Sequence, residues 1–239
     1  MGGISDFKNY PFLTPEEFTE VCHHLDSRYC RATLGPVRRQ WRLRCCSTLN
    51  LASAFGPEYN TYVQIIRPLD GELDDGDLSS FLDNLSFDTR DETAPASTKE
   101  DADVMELEEA DKAVIPKKPA PDFGYVTYEI HWHPTYQVPC LWFALRGLPA
   151  DEPAFNIDTV FRRLVPDQHK VGLRNAGPVG GISADHHPVT GVPTFFIHPC
   201  LLGEAMSHFP CSKESYLMVW LGLVGGCVGL WAPKEMALE

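Results

Sequence analysis

Tyr125–Arg146 reads YVTYEIHWHPTYQVPCLWFALR, and its two halves carry the pattern that decides the fold. In the first half Val126, Tyr128, Ile130 and Trp132 alternate with Thr127, Glu129 and His131. That two-residue period sends one set of side chains to a core and the other to the opposite face of a strand. A turn over His133–Tyr136 contains Pro134, and Val138–Arg146 is a second, mostly apolar run. Two such runs joined by a short turn predict an antiparallel hairpin.

Beyond the hairpin, Ile157, Val160, Phe161 and Leu164 repeat at helical spacing, with Asn156 as the cap and Pro166 past the end. Val165–Thr190, with four glycines and three prolines, is expected to be a long loop. Thr194–Ile197 is a short apolar strand that runs directly into His198, Pro199 and Cys200. A last helix is expected from near Ser212 through Leu217, Trp220, Leu221 and Val224. The 16 uncharged residues Leu217–Ala232 contain the small-xxx-small pairs Gly222/Gly226 and Gly225/Gly229. A bilayer crossing needs roughly 20 residues, so this run is expected to be buried core with close backbone packing.

On the N-terminal side, Thr14, Pro15 and Glu17 form a capping-box signature, and Leu13 is placed to staple onto Phe18. Phe18, Val21, Cys22 and Leu25 then give one apolar stripe, predicting a helix from Pro15 to about Arg28. Trp41, Leu43 and Cys45 alternate with Arg42 and Arg44 as a strand with one wet face, and Tyr62–Arg67 is its expected hairpin partner. The fold class is therefore α+β, an antiparallel sheet of about four or more strands flanked by helices.

At 239 residues the chain is long enough for one main domain, spanning 1–239. Its net charge of −13 is concentrated: Asp70–Asp111 holds 16 acidic residues against Arg90 and Lys99, a net −14, which leaves about +1 elsewhere. A nearly neutral domain without a clustered cationic face does not suit nucleic acid, because phosphate binding depends on such clusters. The composition of residues 70–122 has too few large apolar groups to offset the entropy of ordering, and predicts a disordered acidic insert. Within it, Leu78, Phe81, Leu82 and Leu85 sit at helical spacing, either as a docking segment or as a transient amphipathic turn. Eight cysteines without an apolar leader segment, two of them adjacent at Cys45 and Cys46, suit a reduced, cytoplasmic protein. Met1-Gly2-Gly3 resembles a lipidation start, but Asp6 stands where that motif has Ser or Thr.

Cys200 is the candidate nucleophile. It follows a strand end, is held by Pro199, and has His198 two positions away, and strand-end loops present functional groups on a stiff frame. His198 is the candidate supporting residue, either as a base or by hydrogen bonding the backbone to shape the loop. Asp185, His186 and His198 are candidate proton acceptors for an attacking amine. Cys22-His23-His24, His131 with His133, and Asp185-His186-His187 lack the paired spacing of a closed zinc site, so no metal is expected. The surroundings of Cys200 also lack the papain-like and caspase-like signatures.

The segment His187-Pro-Val-Thr-Gly-Val-Pro-Thr-Phe-Phe-Ile-His-Pro-Cys200 resembles the active-site segment of the autophagy-related conjugating enzymes, which themselves resemble ubiquitin-conjugating (E2) enzymes. Tyr136-Gln137-Val138-Pro139 followed by Leu141-Trp142-Phe143 looks like the same family. So do Tyr216-Leu217, Trp220-Leu221, Val224-Gly225 and Val228-Gly229-Leu230. The likeness covers about Tyr125–Leu230 and is greatest to the autophagy-related protein ten family. It implies an E2-like fold and a glycyl thioester on Cys200 carrying the ubiquitin-like autophagy protein twelve. The E1-like autophagy protein seven would supply that modifier, and a lysine of autophagy protein five would accept it, in support of autophagosome formation. It implies no cofactor, and a cytoplasmic protein peripheral to the autophagosome formation site.

The sister type, autophagy protein three, shares His-Pro-Cys but conjugates phosphatidylethanolamine. The acidic start of the first helix, Glu16, Glu17 and Glu20, does not suit an anionic lipid surface. A non-catalytic E2-like adaptor is the reading from another class. Ordinary E2 enzymes carry His-Pro-Asn shortly before the cysteine, whereas the nearest upstream Asn here is Asn175, so oxyanion stabilisation falls to backbone N–H groups or another side chain. Recognition of the acceptor is expected at the edge of the Tyr125–Arg146 hairpin by strand addition.

Overall fold

Thr14 starts the first element as its residue type requires. Its Oγ1 accepts from the Glu17 N–H at 3.3 Å, its own N–H donates to Glu17 Oε2 at 2.9 Å, and Glu17 Oε1 accepts from the Lys8 N–H at 2.8 Å. The helix so capped, α1, spans Pro15–Arg31, and Tyr29 extends the buried stripe of Phe18, Val21, Cys22 and Leu25 one turn further than predicted. This computed structural model describes residues 6–50, 58–69, 124–178 and 181–237; the acidic segment 70–122, with Leu78–Phe87, lies outside them.

A short helix α2, Val37–Gln40, leads into the sheet. Its strands are β1 (Arg42–Asn50), β2 (Glu58–Pro68), β3 (Tyr125–His133), β4 (Val138–Arg146), β5 (Ile182–His186) and β6 (Pro193–Ile197). Their order is β1-β2-β3-β4-β6-β5, with every neighbouring pair antiparallel. Both predicted pairs are present, and Gln137, at φ 54°, turns the chain from β3 to β4. The hairpin β3–β4 is interior, however, flanked by β2 and β6, so it is not the edge of the sheet that the expected strand addition needs; the edge strands are β1 and β5.

Alternation on β3 and β4 separates two faces. Ile130↔Leu141, Tyr128↔Phe143 and Val126↔Leu145 are cross-strand pairs of buried residues, and they face the helices. There α1 packs on β1, β2 and the last long helix. Such fully buried side chains each contribute roughly 1.5–3 kcal/mol. The other face carries a polar and aromatic row, Arg44↔Gln64↔Glu129↔Trp142↔Phe196↔Ser183, one residue per strand.

After β4 comes α3, Ile157–Arg163, where Asn156 Oδ1 accepts from the Asp158 and Thr159 N–H groups at 2.8 and 3.3 Å. The stretch expected to be a loop instead holds α4, Asp167–Ala176, and β5. Helix α4 buries no residue, while β5 has only Ile182 buried and owes its existence to pairing with β6. The 16-residue uncharged run folds as the second half of α6 (Lys213–Val224), which follows the short α5 (Leu202–Ser207), and a 3-10 turn, Gly225–Val228. Tyr216, Leu217, Trp220, Leu221, Val224, Val228 and Leu230 are all buried. Among the described residues no helix is long and apolar enough to cross a membrane.

Candidate active site

Strand β6 ends at Ile197, His198 follows, and Cys200 sits within the 3-10 turn Pro199–Leu201 that opens into α5. Pro199 is buried while His198 and Cys200 are half-buried, so the sulfur lies on a rigid turn at the surface rather than inside packed hydrocarbon. His198 caps the turn: its Nδ1 accepts from the Cys200 N–H at 3.3 Å. A neutral imidazole that accepts through Nδ1 carries its hydrogen on Nε2. The backbone of His198 is fixed as well, its N–H donating to Gly181 O at 3.0 Å, and Cys140 Sγ donates to Ile197 O at 3.5 Å. Of the two roles read for His198 from sequence, the structure displays the loop-shaping hydrogen bond.

The β3–β4 turn supplies a wall. The Tyr136 ring stands edge-on to His198 at 5.5 Å between centroids, and the His133 ring lies 4.9 Å from that of Tyr136. Burial, then the nearby His198, pushes the His133 imidazole below its ordinary pKa. Sequence reading did not place His133 or Tyr136 beside Cys200; the signal was Tyr136 within the motif shared with the conjugating enzymes. The N-terminal segment braces both sides of this site. The Leu13 N–H donates to Gln137 O at 2.7 Å, Trp132 Nε1 donates to Leu13 O at 3.0 Å, and Tyr10 OH donates to Met206 O at 3.0 Å on α5. Phe12 fits against Gly203 of α5, where an added Cβ would lie 2.8 Å from the ring.

Other thiols stand in different surroundings. Burial pushes the thiols of Cys22 and Cys140 far up, those of Cys45 and Cys227 to about 11, and those of Cys46 and Cys211 upward. Asp185 and His186, named from sequence as proton acceptors, are exposed on β5 opposite Thr194 and Pro193. They sit at the start of β6, and the Thr194–Ile197 stretch alone spans roughly 10 Å. The fold therefore separates both from Cys200.

Residues that the sequence placed in different groups do converge elsewhere. Glu129 Oε2 lies 2.8 Å from His131 Nε2 and 3.0 Å from His187 Nε2, and its Oε1 accepts from Gln64 Nε2 at 2.8 Å. Burial alone would raise the Glu129 pKa, but the hydrogen bonds from His131, His187 and Gln64 outweigh it and hold the carboxyl well below the usual carboxylate range. Burial depresses His131 against the opposing pull of Glu129.

Residues 17–235 match the family described as "Autophagocytosis associated protein, active-site domain". The chain is 61% identical to the ubiquitin-like-conjugating enzyme ATG10 of Gibberella zeae over 234 residues, which is 97% of this chain and 99% of that relative. It is 31% identical to the ubiquitin-like-conjugating enzyme ATG10 of Homo sapiens over 143 residues, and 30% identical to that of Arabidopsis thaliana over 144 residues. Each of these two matches covers 56% of this chain and 62% of the relative.

Proposed function

Because this chain belongs to the ATG10 family of ubiquitin-like-conjugating enzymes, E2-like transferases, we propose that Cys200 is the residue on which it carries its modifier. The observation behind the assignment is placement. Of the cysteines, Cys200 alone sits on a capped turn at a strand end, with its N–H held by His198 and aromatic side chains alongside.

The chemistry takes two exchanges. The Cys200 thiolate attacks the thioester carbonyl of the modifier on its activating enzyme, and the activating enzyme's thiolate leaves. A lysine amine then attacks the new thioester, the Cys200 thiolate leaves, the amine loses a proton, and an isopeptide bond is formed. His198 shapes the turn through Nδ1, and in the absence of the Asn of ordinary E2 enzymes the developing oxyanion is left to backbone N–H groups or another side chain. The modifier is the ubiquitin-like autophagy protein twelve, its donor the E1-like autophagy protein seven, and its acceptor a lysine of autophagy protein five. One catalytic domain, interrupted by the acidic segment, does this work at the site of autophagosome formation.

A protein acceptor is favoured over phosphatidylethanolamine because the apolar stripe of α1 is buried in the core and has nothing left to insert into a lipid surface. The test is Cys200→Ser with activating enzyme, modifier and ATP. An oxyester that withstands reductant and yields to alkali supports the assignment; its absence, with wild type charged normally, sinks it. Running the charged wild type with acceptor protein and with phosphatidylethanolamine vesicles separates the two acceptor classes.

A further inference from the structure

Strand β6, which carries the chain to Cys200, is tied to the rest of the sheet by a short seam. Its register with β4 covers Trp142↔Phe196 and Phe143↔Phe195, and its other neighbour, β5, is an edge strand. So short a seam leaves the start of β6 to be fixed by something else, and the turn 187–192 supplies it. Within that turn the His187 N–H donates to Val192 O at 3.0 Å and the Gly191 N–H to His187 O at 2.9 Å, with Gly191 at φ +67° where a side chain would be strained. The His187 ring belongs to both the turn and the sheet. Its Nδ1 lies 3.3 Å from the Val189 and Thr190 N–H groups, and its Nε2 lies 3.0 Å from Glu129 on β3.

A continuous run of contacts leads from there to the sulfur. His187 stands edge-on to Trp142 at 5.5 Å, Trp142 stacks on Phe196 at 4.7 Å, and the Phe196 ring lies 6.1 Å from that of His198, which holds the Cys200 N–H. We infer that Glu129 is a positioning residue for Cys200: its carboxylate holds His187, and through Trp142 and Phe196 it fixes the His198 ring that sets the cysteine's backbone. The inference rests on the assignment of Cys200 as the sulfur that carries the modifier.

The same three side chains also fit a metal set, since their ligand atoms all lie within 4.8 Å of one another. The orientation of His187 decides against that. A neutral histidine ligating through Nε2 needs its hydrogen on Nδ1, usually donated to an acceptor, but here Nδ1 faces two N–H donors. The hydrogen therefore sits on Nε2, pointed at the carboxylate, and leaves no lone pair there for a cation.

His131 provides the control. It too donates to Glu129 Oε2, and its ring stacks on Tyr62 of β2 at 4.6 Å and stands edge-on to His187 at 5.1 Å, ring contacts that a phenyl group at 131 retains. His187→Phe and His131→Phe each remove one donor to the same carboxylate and keep a ring in place. In the full chain, single-turnover transfer from Cys200 to a lysine acceptor is expected to slow about tenfold in His187→Phe and in Glu129→Gln, and to stay within about twofold in His131→Phe. Unfolding midpoints are measured alongside. Equal slowing in the two histidine variants, in step with lost stability, overturns the inference, as does no slowing in either. One-to-one zinc binding to the wild-type chain that Glu129→Gln abolishes also overturns it. Imidazole nitrogen NMR decides separately from activity. The His198 signals are expected to move in His187→Phe and not in His131→Phe, whereas unmoved signals reject the clamp. If wild type never forms a thioester, the Cys200 assignment has failed, and the NMR result still settles whether the clamp exists.

Discussion

Gly225→Ala and Gly222→Ala make opposite demands on one helix end, and the pair tests how the apolar C-terminal run became core. Gly225 begins the 3-10 turn after α6 with an ordinary φ of −64°, so its backbone tolerates any residue; the constraint is space. An added Cβ would lie 2.2 Å from Leu230 O, against an ordinary carbon–oxygen approach of about 3.3 Å, so the turn must retreat by about 1 Å. That movement disturbs the hydrogen bond from the Leu230 N–H to Gly225 O, 2.8 Å long. Overpacking of about 1–3 kcal/mol plus about 1 kcal/mol for the bond gives a loss of about 3 kcal/mol. At roughly 2–4 °C per kcal/mol for a chain of this size, the unfolding midpoint should fall by about 10 °C. Gly222 is exposed within α6, and beyond its own helix backbone and chain neighbours nothing lies within 4 Å of its Cβ position, so alanine there should add roughly 0.5–1 kcal/mol of helix propensity and raise the midpoint slightly. Thermal unfolding followed by near-ultraviolet circular dichroism reads both. Shifts of the same sign and size in the two variants would refute the packing argument.

Other outcomes follow from the same geometry. Tyr128→Phe removes a buried hydroxyl that donates to Val228 O at 2.7 Å, and should lower stability by roughly 1–2 kcal/mol in urea unfolding with no change in m value. The Glu129 carboxyl is depressed in the folded chain, so its stabilisation is complete above the unfolded value of about 4.3 and is lost progressively as pH falls from there to the depressed folded value. Glu129→Gln should therefore flatten the acid limb of a stability-versus-pH curve, and an unchanged limb would discount the carboxylate. Brief iodoacetamide treatment followed by peptide mass spectrometry should label exposed Cys30 and half-buried Cys200 well before Cys22 and Cys140, which are fully buried; early labelling of Cys140 would contradict the burial described.

The sheet's centre was legible because β3 alternates and β4 is a near-continuous apolar run joined to it by a short turn, and α1 because Thr14, Pro15 and Glu17 announce its start. The segment after α3 was not. An edge strand with one buried residue offers no alternation to read and forms because β6 supplies its hydrogen bonds, and a helix set between Pro166 and Gly177 that buries no residue has no core face to announce it. Three of the four glycines of the small-xxx-small pairs are closely approached, Gly225 by Leu230, Gly226 by the Trp231 ring and Gly229 by the Leu164 carbonyl, while Gly222 is open. The pairing of Cys200 with His198 was visible as a strand end running into His-Pro-Cys. The wall of His133 and Tyr136 was not, because sheet pairing rather than sequence proximity brings the β3–β4 turn beside β6. Misplacing Asp185 and His186 had the same origin. They are near Cys200 in number, but the β5–β6 hairpin carries them to its other end.

The assignment of the acyl-carrying sulfur is tested most directly by peptide mapping of the charged wild-type chain, prepared with activating enzyme, modifier and ATP and digested at low pH without reductant. The modifier's C-terminal glycine is expected on the peptide that contains His198-Pro199-Cys200, and nowhere else. The same remnant on a peptide containing any of the other seven cysteines, with Cys200 recovered free, would contradict it.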